Sequence, residues 1–133
     1  MSRHLVTGGS GFVGSHLAEY LLDKDETVRI YDVVPPEVPD TELMDRAEYI
    51  EGDVRNADRV RAAVDGVDYV HHTVALVPLS KAGSKFWSVN VEGTRNVAEA
   101  ALQTGVEGFV NVSSSAVYDI SEMPVTEETP ASP

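Results

Sequence analysis

The feature that most constrains this chain is a glycine-rich turn close to its N-terminus, Thr7–Gly14, with the sequence TGGSGFVG. The turn contains both a G-x-G-x-x-G and a T-G-x-x-G-x-x-G pattern. It follows a short apolar segment, His4–Val6, which is predicted to be a strand, and precedes Phe12–Lys24, whose apolar residues have helical spacing. A strand, a glycine turn and a helix in this order are typical of a loop whose main-chain N–H groups bind a pyrophosphate. A plain flexible turn is the alternative.

The rest of the chain alternates short apolar segments with helical patterns. Further strands are predicted at residues 27–33, 48–50, 67–72 and 108–113, and further helices at residues 56–64 and 84–104. Pro35, Pro36 and Pro39 predict a loop after the second strand. The alternation predicts an α/β fold, a doubly wound parallel sheet of the Rossmann type with strand order 3-2-1-4-5. We expect a dinucleotide-binding domain at residues 1–118, truncated after strand five, and an irregular polar tail at residues 119–133.

Two carboxylates follow predicted strands and are candidates for binding a nucleotide. Asp32 ends the second strand, 18 residues after Gly14. A carboxylate there accepts hydrogen bonds from the adenosine ribose and repels a 2′-phosphate, so NAD is expected rather than NADP. No Arg or Lys lies in the glycine turn or directly after Asp32; a solvated strand-end Asp is the alternative. Asp53, after the third strand, is a weaker candidate acceptor for the adenine amino group, because Gly-Asp is also an ordinary turn.

The charge of the chain excludes some partners. Its 133 residues include 22 acidic and 10 basic residues, for a net charge of −12. Nucleic acids and anionic membrane surfaces attract the opposite charge, so neither partner is expected. The acidity is consistent with salt adaptation and equally with an ordinary acidic surface. No signal peptide and no apolar segment of ~20 residues is found, which predicts a cytoplasmic location.

The composition gives no indication of a metal site. The chain has no cysteine, so disulfides and thiolate ligands are excluded. His71 and His72 are adjacent in a predicted strand, so their side chains are expected on opposite faces, where they cannot share one metal ion. We therefore expect no bound metal and assign both histidines to packing.

Further motifs follow in order along the chain. After the glycine turn, Asp32 and Asp53 come Val70–Ala75 (VHHTVA), Asn90–Thr94 (NVEGT) and Ser113–Tyr118 (SSSAVY). Taken together, these residues resemble the extended short-chain dehydrogenase/reductase family, the NAD-dependent epimerase/dehydratase group, over essentially the whole chain. The resemblance implies a Rossmann fold and NAD as the cofactor.

The resemblance also implies where the cofactor binds. The main-chain N–H groups of Phe12 and Val13 would face the pyrophosphate. The resemblance implies nine further cofactor-binding residues in three groups. These are Gly8, Gly11 and Gly14 in the turn, Asp32, Asp53 and Val54 at the ribose and adenine, and Thr73, Val74 and Ala75 on the nicotinamide side. Asn90 would lie near the cofactor and hold the loop after strand four in place. Val74 departs from the family's usual Ala, which puts the shape of the nicotinamide pocket in doubt.

For catalysis, the resemblance implies that Ser114 binds the reacting oxygen of the substrate, with Ser115 a weaker candidate. Tyr118 matches a structural Val-Tyr pair, which Gly usually follows in the family and Asp119 follows here. The family's catalytic Tyr-x-x-x-Lys motif comes directly after a segment like Pro130–Pro133, and we expect no such pair within residues 1–133. These residues are therefore expected to be the N-terminal portion of a longer enzyme, with negligible turnover on their own.

The resemblance implies an NAD-dependent epimerase or dehydratase, or a dehydrogenase, that acts on a small molecule by hydride transfer. A nucleotide sugar is the expected substrate class, and a sterol or another hydroxyl compound is an alternative. A different class of function also fits: a naturally short NAD-binding module that regulates a partner. Because the fifth strand would lie at an exposed sheet edge, self-association as a homodimer is a further hypothesis.

Overall fold

One parallel sheet organises the molecule. The computed structural model describes residues 1–36, 41–77, 81, 83–119, 121 and 124–132. Its five strands lie in the order β3-β2-β1-β4-β5. They are β1 (Arg3–Thr7), β2 (Thr27–Asp32), β3 (Glu48–Glu51), β4 (Tyr69–His72) and β5 (Gly108–Asn111). The register pairs Thr7 with Tyr31 on one side and with His72 on the other, so the carboxyl ends of the central strands meet at one edge.

Helices cover both faces of this sheet. They are α1 (Phe12–Leu22), α2 (Thr41–Arg46), α3 (Ala57–Val64), α4 (Lys85–Trp87) and α5 (Thr94–Thr104). A π-helical segment, Ser88–Gly93, joins α4 to α5, and a short 3₁₀ turn, Ser115–Val117, follows β5. Within the residues described, no helix has both the length and the apolar character that a membrane crossing requires.

Two buried clusters hold the layers together. One lies between the sheet and α1 with α2 and includes Val6, Ile30, Ala18, Leu21 and Leu43. The other lies between the sheet and α3 with α5 and includes Leu5, Val70, Val60, Val64 and Val97. Neighbouring residues of β1 thus enter opposite clusters, as expected for a parallel strand buried on both faces. The predicted fold class and strand order are confirmed.

The helical pattern predicted at residues 84–104 is found from Lys85 to Thr104, but it is not a uniform α-helix. The structure divides this region into α4, the π-helical segment and α5. The division has a packing reason, because a Cβ at Gly93 would lie only 2.5 Å from Val54 Cγ2. The wider π turn brings Gly93 against the strand-end loop, and π segments of this kind often occur at functional sites.

The region between the second and third strands also differs from the predicted loop, because it contains α2. Leu43 of this six-residue helix is buried beside α1, and tertiary burial stabilises a helix too short to form alone. Pro39 lies outside the described residues. Other limits shift by one or two residues: α1 ends at Leu22, β4 begins at Tyr69 and β5 ends at Asn111.

Candidate functional site

The glycine turn closes tightly between β1 and α1. Gly8 has a φ of +72°, and its main-chain N–H donates to the Tyr31 carbonyl at 2.9 Å. The N–H of Gly11 then donates to the Gly8 carbonyl at 3.0 Å. A Cβ at Gly14 would lie 2.1 Å from the Gly8 oxygen, so only glycine allows the helix to approach the turn this closely. Gly9 is equally confined, since its Cβ would lie 2.7 Å from Ile30 Cγ2.

The first turn of α1 offers main-chain donors without a side-chain partner. Gly11 is the N-cap residue and has no side chain to cap the helix, and the first turn contains no acidic residue. Phe12 is 82% exposed and Val13 is 52% exposed. The N–H groups of a helix N-terminus carry partial positive charge, so this turn can receive an anion.

Asp32 lies at the end of β2, beside the turn. Its Oδ1 accepts from the Val33 N–H at 2.7 Å and from the Val34 N–H at 3.4 Å, and its Oδ2 accepts from the Ser10 N–H at 3.1 Å. An ionised carboxylate has about four acceptor positions, two on each oxygen, so Oδ2 retains capacity for a further donor. Asp32 can therefore accept bonds from a ligand without losing its main-chain partners.

A cavity of about 250 Å³ opens next to Asp32. It is lined by Tyr31, Asp32, Val33, Gly52, Asp53, Val54, Arg55, Val74, Leu76, Lys85 and Val89. Pockets for drug-sized ligands usually measure ~300–1,000 Å³. The cavity thus has room for part of a dinucleotide, such as its nucleoside, and its lining is mainly apolar with charged groups at the margin.

Arg55 holds the second candidate carboxylate. Its Nη2 lies 2.6 Å from Asp53 Oδ2, and its Nε lies within hydrogen-bond distance of both Asp53 oxygens. The hydrogen bonds from Arg55 keep the pKa of Asp53 below its usual range. An adenine amino group would share this carboxylate with the guanidinium. No sequence motif indicated Arg55 or Lys85 as a residue of this site, although Arg55 follows Asp53 by only two positions.

Tyr31 lines the same cavity as Asp32 and Asp53. Its hydroxyl donates to the Asp53 carbonyl at 2.9 Å, and a Cβ at Gly52 would lie 2.4 Å from its ring. Burial raises the pKa of Tyr31 to about 12, so this hydroxyl is not a base near neutral pH. Its role is to hold the loop after β3.

The loop after β4 carries the predicted nicotinamide-side residues. Thr73 Oγ1 donates to the Thr7 carbonyl at 2.8 Å. A Cβ at Gly8 would lie 2.8 Å from this Thr73 hydroxyl oxygen. Val74 lines the cavity, whereas Ala75 is exposed. Asn90 reaches this loop from the π-helical segment: its Oδ1 accepts from the Leu76 N–H at 2.7 Å, and its Nδ2 donates to the Leu76 carbonyl at 3.0 Å. These two bonds hold the loop; whether Asn90 and its neighbours touch a cofactor stays a prediction.

A buried histidine is linked to Asn90 through the hydroxyl of Thr94. His72 is 1% exposed, with Nδ1 2.7 Å from Thr7 Oγ1 and Nε2 2.9 Å from Thr94 Oγ1. Thr94 donates its own proton to the Asn90 carbonyl at 2.8 Å, so it accepts from Nε2–H of the imidazole. Nδ1 then accepts from Thr7. Burial lowers the pKa of His72 to about 4, consistent with a neutral ring.

The two adjacent histidines point to opposite faces of β4, as predicted. His71 Nε2 lies 3.0 Å from His4 Nδ1 on the face that α1 covers, whereas His72 faces Thr94 on the other side. Burial, together with the charge of His4, lowers the pKa of His71. Among the residues that the structure describes, no group of three or more His, Asp or Glu could hold a metal ion.

Ser114 lies after β5 on exposed backbone. Its Oγ accepts from the Ala116 N–H at 3.2 Å, which caps the 3₁₀ turn. Tyr118 follows that turn, and the Val117 carbonyl accepts from the Ser132 N–H at 2.7 Å. The structure thus places Ser114 in a local capping role; its catalytic role and the limits of the predicted tail stay predictions.

The expectation that the chain has no Tyr-x-x-x-Lys pair is wrong as a statement about spacing. Tyr20 and Lys24 have this spacing, and Lys24 Nζ lies 5.4 Å from the centre of the Tyr20 ring. However, the pair lies at the C-terminal end of α1. The glycine turn lies at the opposite end of that helix, so this pair does not take part in the site.

Known protein sequences that resemble this chain include dehydrogenases. A model of the 3-beta hydroxysteroid dehydrogenase/isomerase family matches residues 5–130. Uncharacterized protein y4nG of Sinorhizobium fredii is 43% identical over 130 residues, which are 97% of this chain and 32% of that protein. A 3 beta-hydroxysteroid dehydrogenase/Delta 5→4-isomerase of Mycobacterium tuberculosis is 40% identical over 124 residues, 88% of this chain and 33% of that enzyme. The chain spans about a third of the length of these relatives.

Several solved structures have a similar fold to this chain. A short-chain dehydrogenase/reductase superfamily protein of Agrobacterium tumefaciens with bound NAD has a TM-score of 0.86 and 33% identity, covering 98% of this chain and 39% of that one. The UDP-Glc/GlcNAc 4-epimerase of Campylobacter jejuni has a TM-score of 0.87 and 26% identity, covering 100% and 44%. With the family model matching most of its residues, the chain belongs to the 3-beta hydroxysteroid dehydrogenase/isomerase family, within the extended short-chain dehydrogenases/reductases.

Proposed function

We propose that residues 1–133 bind NAD as the cofactor-binding part of an NAD-dependent oxidoreductase. The observation that carries the proposal is one corner of the sheet, where the open N-terminus of α1, the Asp32 carboxylate and the cavity lie side by side. The pyrophosphate would lie on the main-chain N–H groups of Phe12 and Val13. The adenosine would occupy the cavity, with its ribose hydroxyls on Asp32 and its adenine amino group near Asp53.

The residues fit this group for steric reasons as well as electrostatic ones. The turn brings Gly8 and Gly14 together with no room for a Cβ, which leaves the main chain open to a ligand. Bound NAD supplies hydride transfer. The chain itself binds and orients: Asp32 would fix the ribose, and Thr73, Val74 and Ala75 would bound the nicotinamide side, on a loop held by Asn90.

Two substrate classes have support from different observations. Relatives that are about 40% identical are called 3-beta-hydroxysteroid dehydrogenases, which favours oxidation of the secondary alcohol of a hydroxysteroid or a similar compound. Structural neighbours that are 26–28% identical bind NAD with UDP, which favours the nucleotide sugar expected at first. We favour the hydroxysteroid class because the sequence identity is higher, and the nucleotide sugar is the second candidate.

We further propose that residues 1–133 alone bind NAD without turning over a substrate. A serine hydroxyl such as that of Ser114 is not a base near neutral pH, and Tyr20 with Lys24 lies at the wrong end of α1. The test is to assay residues 1–133 and the complete product of their gene with 3β-hydroxysteroids and with UDP-sugars, following NADH at 340 nm. NADH formation by residues 1–133 would contradict the claim. If the complete product acts on UDP-sugars and not on hydroxysteroids, the nucleotide sugar would replace the hydroxysteroid as the favoured substrate class.

Cofactor binding is tested by titrating NADH fluorescence with the 133-residue chain. Asp32→Asn should weaken NADH binding at least tenfold, because it removes the charge that receives the ribose hydroxyls. Asp25→Asn is the matched control: it removes the same charge at a residue with φ of +61°, which Asn tolerates, at the far end of α1. A folded wild-type chain that does not bind millimolar NADH would overturn the proposed function.

A further inference from the structure

Ser10 binds the end of β2 through both its main chain and its side chain. Its N–H donates to Asp32 Oδ2 at 3.1 Å, and its Oγ donates to the Val34 carbonyl at 2.6 Å. No family motif identified in the sequence assigns this side chain a role. It is the serine of the TGGSGFVG turn that the glycine pattern leaves unspecified.

The first of these bonds fixes the Asp32 carboxylate. The Ser10 N–H occupies one position on Oδ2, and the Val33 and Val34 N–H groups occupy Oδ1 at 2.7 Å and 3.4 Å. A carboxylate held by donors on both oxygens cannot rotate freely, and the remaining acceptor position on Oδ2 faces a defined direction. The turn therefore sets the orientation of the group that would receive the ribose.

The second bond holds the segment that follows Asp32. Val33 and Val34 are 55% and 54% exposed, so little apolar packing fixes their position. The Ser10 hydroxyl is the side chain that ties the Val34 carbonyl to the glycine turn. Val33 also lines the cavity, so the position of this segment determines the shape of the cavity margin next to Asp32.

Charge alone does not explain a preference for NAD at this margin. Asp32 repels a 2′-phosphate, but Arg55 and Lys85 line the same cavity and would attract it. Arg55 is paired with Asp53, which reduces its availability for a phosphate. Under these opposing charges, the space between Asp32 and the Val33–Val34 segment becomes decisive, because a 2′-phosphate needs room there and a ribose hydroxyl does not.

We propose that Ser10 is a positioning residue that sets the preference for NAD over NADP, its hydroxyl holding the Val33–Val34 segment against the glycine turn beside Asp32. The inference rests on the proposed function, since it assumes that the adenosine ribose lies on Asp32. Ser10 touches Asp32 and the loop in this structure, and it acts on the cofactor through them.

The test compares three variants of the 133-residue chain by titrating NADH and NADPH fluorescence under identical conditions. Ser10→Ala removes the hydroxyl and should reduce the ratio of the NADPH Kd to the NADH Kd by roughly fivefold, the effect of one hydrogen bond. Ser10→Thr keeps the hydroxyl and should keep the wild-type ratio. Ser15→Ala is the matched control, because Ser15 Oγ donates to the Phe12 carbonyl one turn away and makes no contact with Asp32.

The ratio is the deciding measurement, because a loss of stability alone would weaken both cofactors together. Thermal unfolding is recorded for every variant, and Ser10→Cys, which keeps the size and weakens the donor, replaces Ser10→Ala if the latter folds poorly. A ratio for Ser10→Ala within twofold of wild type would overturn the role of Ser10 while the proposed function stands. A wild-type chain that binds neither cofactor would overturn both.

Discussion

The corner around the glycine turn and the edge around β5 differ in how completely each is built. At the corner, Gly8, Ser10 and Tyr31 form hydrogen bonds of 2.6–3.1 Å that join the turn, β2 and the loop after β3. At the edge, Val110 is 52% exposed, and Ser114 Oγ accepts a hydrogen bond from the N–H of Ala116, two residues along the chain. The candidate nucleotide site is thus held by contacts among the first three strands and their loops, whereas the candidate catalytic serine has little local structure to fix its geometry.

The largest effect should come from breaking the corner itself. In Gly14→Ala, the new Cβ would lie 2.1 Å from the Gly8 carbonyl oxygen, so the turn and α1 must separate. We expect loss of NADH binding by more than a hundredfold, together with a destabilisation of about 1–3 kcal/mol from overpacking. The measurements are NADH titration and urea unfolding.

The control for that variant lies in the same turn. In Gly11→Ala, the Cβ would lie 3.3 Å from the same oxygen, which demands only a small adjustment. Equal losses in the two variants would contradict the view that the close approach of Gly14 to Gly8 builds the corner.

The second prediction concerns His72, which joins the two regions at β4. Its ring is neutral when folded because burial lowers its pKa to about 4, whereas the unfolded ring has the ordinary value of 6.5. The unfolded state therefore binds more protons below pH 6.5, and the free energy of unfolding falls as the pH drops towards 4. The full loss from this residue is roughly 3 kcal/mol.

Urea unfolding between pH 7.5 and 4 measures this dependence. His72→Gln should be less stable at neutral pH and should flatten the slope, since glutamine does not titrate. His71→Gln is the comparison, because the pKa of His71 is lowered too but its ring is less buried. A slope for His72→Gln that equals that of the wild type would show that other groups cause the acid sensitivity.

A third, intermediate effect is expected for the loop that Asn90 holds. Asn90→Ala removes two hydrogen bonds to Leu76 and should destabilise the fold by about 1–3 kcal/mol. Asn96→Ala removes the single bond at 2.9 Å to the Val54 carbonyl and should cost about half as much. Urea unfolding of both variants at pH 7.5 measures the difference; a larger loss for Asn96→Ala would contradict this ranking.

The smallest effect on stability is expected at the β5 edge. Val110→Lys places a charge on a side chain that is 52% exposed, so the free energy of unfolding should change by less than ~0.5 kcal/mol. If residues 1–133 form a homodimer through this edge, the charge should shift the chain towards monomer in sedimentation velocity. Tyr20→Lys, at a side chain that is 59% exposed on α1, is the control and should leave the association state unchanged. Unchanged association in both variants would exclude β5 from the contact.

Much of the fold and part of the site could be predicted because their signals are local. The glycine turn, Asp32 at the end of a strand and the strand order all follow from patterns within about thirty residues. The two bonds from Asn90 to the loop after β4 agree with the role that the family resemblance gave it. The helix limits could not be predicted, because the π-helical segment depends on the contact between Gly93 and Val54, which are distant in the chain.

Two further contacts of the site could not be predicted for the same reason. Lys85 of α4 lines the same cavity as Asp53 of the loop after β3, although the two residues are distant in the chain. The Ser10 hydroxyl finds the Val34 carbonyl because the turn and β2 are neighbours in the sheet, which no local pattern shows. The expectation that no Tyr-x-x-x-Lys pair is present was wrong for a different reason, because Tyr20 and Lys24 have this spacing in the sequence itself. The structure shows that the pair lies at the end of α1 away from the site.

The sequence by itself determined the α/β alternation, the glycine turn and the carboxylate at the end of β2, because each depends on residue types at fixed short spacings. The tertiary structure alone decided which groups meet at that corner: Lys85 with Asp53 in the cavity wall, the hydrogen bond from Ser10 to Val34 and the buried bonds of His72. The physical reason is that hydrogen bonds and ion pairs act over about 3 Å, so their partners are chosen by the packing of elements and not by distance along the chain.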